Sequence, residues 1–365
     1  MSPMILYFST FVWSMYITTA LNITQICHPK FAVLDGHSAC SLPSSELIDA
    51  GVSAEDRKMI VTFHNKYRRE VSPPATNMQV IVWDEEIAMI AQHWAATCPS
   101  PERPLDENHL RGIPGRFNRL GQNAAFGQAS WSAVVAEWHE EQNFFIYGKP
   151  PKGNKRVGHY TQVVWASSGK VGCGYAECSG SRKIYICNYA LVGNVAKWND
   201  PGTRFKPYET GTPCTACPSR CNDGLCDCKG KVCHNGGILN PETCTCTCPK
   251  LYHTGDLCDV DCKLATDSFG CASQNGSVWT EEGCKTIGNA GDECPLQCQS
   301  CPAGGINFDI DLYLQSVEHG RARISHGGNE TSRASFMGHS RTTLVGNLNF
   351  IILVLVAIFL MVNLF

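Results

Sequence analysis

Apolar positions between residues 53 and 207 recur with two periods, and the change of period predicts where helices give way to strands. Ser53, with Glu55 and Asp56 in the next turn, predicts a capped helix whose Met59, Ile60, Phe63 and Tyr67 share one face. Asp84 opens a second helix with Ile87, Ile90, Ala91, Trp94 and Cys98 on one stripe. A third starts at Ser130 and carries Val134, Trp138 and Glu141 at spacings of four and three, which sets a carboxylate on an inward stripe. Period-two alternation over 159–165 predicts a strand with His159, Thr161, Val163 and Trp165 on one side, and 184–189 is rich in β-branched and aromatic residues. Helices flanking a short sheet predict an α+β domain, a three-layer α-β-α sandwich over 53–207, preceded by an N-terminal extension at 21–52.

The ends read differently. An apolar run at 5–16, followed by Thr18, Thr19 and Ala20, predicts a secretory signal over 1–20, with an uncleaved anchor as the alternative. Residues 302–340 are Gly-, Ser- and Arg-containing with little apolar content and predict a flexible stalk. Beyond them, 341–365 ends in an almost wholly apolar stretch with no following Lys or Arg, the pattern of a signal removed on attachment of a glycosylphosphatidylinositol (GPI) anchor. Ser332, Ala334 and Gly338 are the candidate lipid-attachment residues. A single-pass helix over 344–365 is the alternative, because a span needs about 20 apolar residues.

Composition then fixes the compartment. Twenty-two cysteines, an even number, sit mostly after residue 173, and a secretory route makes disulfides their default state. Asn-x-Ser/Thr triplets at Asn22, Asn275 and Asn329 are candidate glycosylation sites. Net charge is -3, from 33 acidic and 30 basic residues, so composition shows no polyanion-binding field and predicts no nucleic-acid partner.

Three stretches carry a family resemblance: Gly158-His159-Tyr160-Thr161-Gln162-Val163-Val164-Trp165, Gly172-Cys173-Gly174, and Tyr185-Ile186-Cys187-Asn188-Tyr189 with Gly193-Asn194. Together with His64-Asn65, Arg68 and the segment from Trp94 to Cys98, they resemble the CAP superfamily of cysteine-rich secretory, antigen 5 and pathogenesis-related proteins over about 55–200. Leu191 departs from the pattern, where relatives usually carry Pro. The cysteine-dense half extends the likeness. Cys214, Cys217, Cys221 and Cys226 resemble the hinge of cysteine-rich secretory proteins, placed at 208–227. Cys228, Cys233, Cys244, Cys246, Cys248 and Cys258 resemble an EGF-like module at 228–260, with an unusually short third spacing. Cys262, Cys271, Cys284, Cys294, Cys298 and Cys301 resemble a six-cysteine toxin-like module at 261–301. With Cys27 and Cys40, and with Cys98, Cys173, Cys178 and Cys187, all the cysteines fall into even sets, although spacing leaves the pairing open.

The resemblance implies a cleft gathering His109, Glu141 and His159, with Gln122 where relatives carry Glu. Two imidazoles and a carboxylate would suffice for zinc, but Gln is a weak neutral donor and removes one candidate general base. The chain therefore requires no cofactor, with weak zinc binding as the alternative. Gly-x-Ser-x-Gly and His-Glu-x-x-His are both missing from the sequence, so it nominates no catalytic residue. His64 reads as a structural hydrogen-bond former and His139 as solvent-facing. The expectation is a non-enzymatic cell-surface glycoprotein meeting an extracellular protein or glycoprotein ligand in recognition or adhesion, of a gamete or defence kind. The rivals are a metal-dependent hydrolase, a lipid- or sterol-binding protein and an ion-channel regulator. The last is weakened because the 284–294 loop lacks the adjacent Lys-Tyr pair of blocking toxins and carries two acids.

Overall fold

The computed structural model describes residues 27–301, apart from 33, 35, 107, 197–198, 269–270, 272–283, 285–292 and 299, together with Gly305. All belong to the first of two units, 1–313; the second, 314–365, lies outside the described residues. The expected signal and apolar tail, Asn22, Asn275, Asn329, Ser332, Ala334 and Gly338 also lie outside them. Among the described residues no helix is long and apolar enough to cross a membrane.

Four helices and one mixed sheet form the α-β-α sandwich. The helices are α1 (Ala54–Arg69), α2 (Glu85–Ala96), α3 (Trp131–Glu140) and α4 (Gly158–Val163). The strands are β1 (Leu47–Ala50), β2 (Val82–Trp83), β3 (Gly121–Phe126), β4 (Lys170–Cys178) and β5 (Arg182–Ala190). Strand order is β1-β4-β5-β3, antiparallel throughout, and β2 runs parallel to the start of β4, on the edge that β1 takes at its end.

Caps start the helices where sequence places them. The Ser53 hydroxyl accepts from Asp56 N, Asp84 Oδ1 from Glu86 N and Ile87 N, and the Ser130 hydroxyl from Ala133 N. One sheet face buries Ile184, Ile186, Ala124 and Ala176 against Ala91 and Ala95 of α2. The other buries Tyr185, Cys187 and Tyr189 beneath Ile60, Tyr67, Val134, Trp138, Tyr160 and Val163. The Gly172-x-Gly174 pair explains how close α2 lies. A Cβ at Gly172 would come within 2.1 Å of Ala88 N, and one at Gly174 within 2.4 Å of Gln92 Cα, so helix backbone rests directly on strand backbone.

Two readings are corrected: β1, within the stretch read as an extension before the domain, is a strand of its sheet, and 159–165 is not a strand but α4 and the turn after it. Thr161, Val163 and Val164 favour strands, and six residues are too few for an isolated helix. Partners distant in sequence hold both ends. Glu141 Oε2 accepts from His159 N (2.8 Å) and Tyr160 N (3.1 Å), filling the free donors of the first turn. At the other end Arg68, 1% exposed, donates to the carbonyls of Val163, Trp165, Ala166 and Gln79 at 2.7–3.0 Å. No carboxylate appears among these partners. Burial pushes the guanidinium pKa down to about 9, so it stays charged at neutral pH and is satisfied by carbonyl dipoles.

Eleven disulfides pair all 22 cysteines, and no bond crosses between the even sets read from sequence. Cys173–Cys187 joins β4 to β5, and Cys98–Cys178 ties the residues after α2 to the end of β4. The later sets pair as 214–221 and 217–226, as 228–244, 233–246 and 248–258, and as 262–301, 271–294 and 284–298.

The cysteine-rich half is docked on the sandwich through residues 226–235. Cys226 N donates to Met78 O and Val80 N to Cys226 O, so the four-cysteine segment extends the backbone pairing of 76–80. Val232 is buried with Ile87, Ile90 and Phe117. Asn235 Nδ2 donates to Gly115 O (2.7 Å) and Cys258 O (2.8 Å), bonding its own module and the sandwich with one side chain.

Candidate functional site

The expected cleft residues are only partly brought together. Glu141, at the C-terminal end of α3, faces His159, the second residue of α4. The His159 ring donates from Nδ1 to Glu141 Oε1 at 3.0 Å while Glu141 Oε2 takes the two backbone donors. Burial pushes the Glu141 pKa up, but the His159 ring and the N–H groups of residues 159 and 160 outweigh it, and the carboxyl sits below its ordinary range. Glu141 is thus ionised at neutral pH with both oxygens engaged. His159 is half-buried, and among the described residues its Nε2 has no hydrogen-bond partner.

Gln122 takes another course. Alternation along β3 sends it to the face shared with Ala124, opposite Asn123, and its Nε2 donates to Asn188 Oδ1 across the β3–β5 pair at 2.8 Å. Both amides are buried, and Gln122 Oε1 and Asn188 Nδ2 are left without partners. His109 lies in the 3₁₀ turn Asn108–Arg111, and its side chain is outside the described residues.

Behind His159 runs a chain of buried polar groups. Asn123 Nδ2 donates to His159 O (3.1 Å) and to the Tyr189 hydroxyl (3.4 Å), which in turn donates to His64 Nε2 (3.0 Å). His64 Nδ1 donates to Ile60 O (2.8 Å), which fixes the tautomer. Burial lowers the His64 pKa to about 4 and raises that of Tyr189, so both are neutral in the fold. His64 thereby joins α1, β5, β3 and α4. His139 does not face solvent as its sequence context predicts: it is half-buried and stacks on Tyr67, ring centroids 3.8 Å apart and planes within 8°.

Asn123 escapes notice in the sequence, and Gln162, Tyr189 and Asn194 stand there only as parts of the family pattern, with no role of their own. The signal that marks Gln162 is a pair of glycines. A Cβ at Gly121 or Gly193 would meet its amide at 2.2 or 2.7 Å, and Gly193 N donates to its Oε1. Asn194 accepts from the Thr161 hydroxyl (2.5 Å) and donates to Gly158 O (2.9 Å), pinning the start of α4.

As zinc donors, the described side chains of this set, those of Gln122, Glu141 and His159, fit poorly. Zinc wants three or four convergent nitrogen, sulfur or oxygen donors. Here Glu141 is committed to α4, the Gln122 amide to Asn188, and no group of three or more His, Cys, Asp or Glu residues suited to a metal occurs among the described residues. The hydroxyl of Thr161, two residues after His159, is held by Val157 O and Asn194 Oδ1.

Comparison with known proteins finds relatives of this chain. The cysteine-rich secretory protein (CAP) family matches residues 61–189. The cysteine-rich venom protein Mr30 of Conus marmoreus is 30% identical over 287 residues, 76% of this chain and 91% of that protein. Human cysteine-rich secretory protein 3 is 36% identical over 246 residues, 63% of this chain and 94% of that protein. Venom allergen-like protein 4 of Schistosoma mansoni is a similar solved structure, 27% identical over 45% of this chain and all of that one, with a TM-score of 0.35. With relatives matched along nine-tenths of their length at 30% identity or more, this chain belongs to the cysteine-rich secretory protein (CAP) family.

Proposed function

We propose that the protein is a non-enzymatic recognition or adhesion molecule of the extracellular space, held at the outer face of the plasma membrane by a lipid anchor. The observation that carries the reading is the commitment of Glu141. Its three hydrogen bonds hold α4 in place, so the carboxylate acts as a fixture of the fold instead of a free base. Complete disulfide pairing supports the placement, since paired sulfurs persist in an oxidising compartment. Docking of the 226–235 segment on the sandwich supports presentation of a preformed surface there, which lowers the ordering cost of meeting a partner. An extracellular protein or glycoprotein is the partner class, and no cofactor is required.

Cells expressing the full chain test this. They are expected to attach to a second cell layer more strongly than parental cells, and phosphoinositide-specific phospholipase is expected to release the protein and abolish the gain. No gain in attachment with the chain at the surface overturns the adhesive reading, and survival on the membrane after the phospholipase overturns the anchor. Turnover of ester or peptide substrates that Glu141→Gln abolishes overturns the non-enzymatic reading, and zinc affinity that falls in His109→Ala with His159→Ala overturns the reading that no cofactor is required.

A further inference from the structure

The overall charge of -3 conceals a strongly uneven distribution. Between residues 142 and 176 there is no Asp or Glu, and Lys149, Lys152, Lys155 and Arg156 fall within eight positions. This segment joins Glu141 to α4, so it forms a lip beside His159. All four cations are exposed, and none has an ion-pair partner among the described residues.

The 201–206 loop lies alongside, since Gly148 N donates to Phe205 O at 2.8 Å, and it adds Arg204, also exposed and unpaired. Two cations sit on aromatic rings: Lys155 lies 5.7 Å from the Phe144 centroid, and Arg204 lies 4.7 Å from that of Phe205. Phe144 is itself 38% exposed. Acids near the lip are few. Asp200 pairs with Lys206 at 3.6 Å, Glu209 acts on Tyr147, and Glu140 lies on the α3 side.

Unpaired like charges gathered on one loop repel each other and gain from a multivalent anion. Rings beneath cations offer what a phosphate surface does not use, a flat apolar face on which a sugar ring can lie. Secretion removes nucleic acid from the available polyanions. From this geometry we propose that the lip formed by Lys149, Lys152, Lys155, Arg156 and Arg204, with Phe144, binds a sulfated polysaccharide of the extracellular matrix or cell surface. Sulfates pair with the exposed cations and a sugar ring packs on Phe144. This deepens the recognition reading by naming a second class of ligand, and it rests on that reading only for extracellular placement. Its test reads glycan binding in isolation, so it can fail while cell attachment stands.

The probe is immobilised heparin, with the full chain expressed in eukaryotic cells and purified in detergent. Wild type is expected to bind and to be released by added salt, because exposed pairs are screened. Replacing Lys149, Lys152, Lys155 and Arg156 with Ser should weaken binding by about tenfold or more, from several modest surface pairs acting together. A control that replaces the exposed Lys58, Lys229 and Lys263 with Ser should change it by less than about twofold. Phe144→Ala keeps every charge and should cost about three- to fivefold. Unchanged thermal melting of the fourfold variant keeps a loss of binding from being a loss of fold. The proposal is overturned if heparin is not bound, if the control weakens binding as much as the lip variant, if desulfated heparin binds equally, or if phosphatidylserine vesicles are bound in its place.

Discussion

The sandwich and the cysteine-rich half solve the same problem with different means. In the sandwich, whole side chains such as Trp138, Tyr160, Tyr189 and Ile60 leave water, and burial of that kind contributes about 1.5–3 kcal/mol per large apolar residue. Three disulfides fall in or before it. After residue 208 the apolar clusters shrink to groups such as Tyr252, Val260, Ala265 and Cys301, and eight disulfides take over. Segments this short cannot bury enough apolar surface to offset chain entropy, so cross-links lower the entropy of the unfolded chain instead. The contrast also separates their vulnerabilities: one half answers to packing and buried polar groups, the other to redox conditions.

Graded reduction under native conditions gives the largest expected effect. Each closure contributes about 2–4 kcal/mol, so amides in 208–301 should lose hydrogen-exchange protection while those of β4 and β5 remain protected. Simultaneous loss in both halves would break the comparison. Arg68→Met acts on the sandwich: it removes the donor to four carbonyls, of which Trp165 O keeps Ser168 N and Ala166 O keeps Gln79 N while those of Val163 and Gln79 lose theirs, and it should destabilise by about 2–4 kcal/mol in denaturant titration, with the slope for the cysteine-rich half unchanged.

Acid sharpens the comparison next. The folded-state pKa of His64 is about 4, against about 6.5 unfolded, so the unfolded chain binds the extra proton first. Stability of the sandwich is therefore full above about pH 6.5 and falls by about 3 kcal/mol on the way to pH 4. His64→Gln should remove most of that slope from melting curves taken across the range. Glu141, its pKa depressed, adds loss at lower pH as it protonates, in the same direction. The smallest effect is expected of Asn235→Ala, about 1–2 kcal/mol, read as faster exchange confined to 228–258 and the 115–117 segment it bonds.

Legibility divides along physical lines. Helix starts at Ser53, Asp84 and Ser130 could be read because an N-cap bonds within three residues of itself. The even cysteine sets were likewise legible, since short modules close short loops. By contrast α4 reads as a strand from its own residues, and what makes it a helix comes from Arg68 on α1 and Glu141 at the end of α3. His139 misled for the same reason, its stacking partner Tyr67 lying on another helix. The basic lip was present in the letters but averaged away in the net charge; only the loop at 201–206 brought beside it, and the rings under its cations, show it as one surface.

By itself, then, the sequence determined the compartment, the layered class, the even cysteine sets and the residues of the family pattern, because caps, periodicity and oxidation are set by neighbours along the chain. Tertiary structure alone decided the conformation of 158–163, the commitment of Glu141, the turning of Gln122 toward Asn188 and the docking of the cysteine-rich half. Those outcomes depend on which distant donors and acceptors meet once water is excluded, and a buried polar group takes whichever partner the packing brings to it.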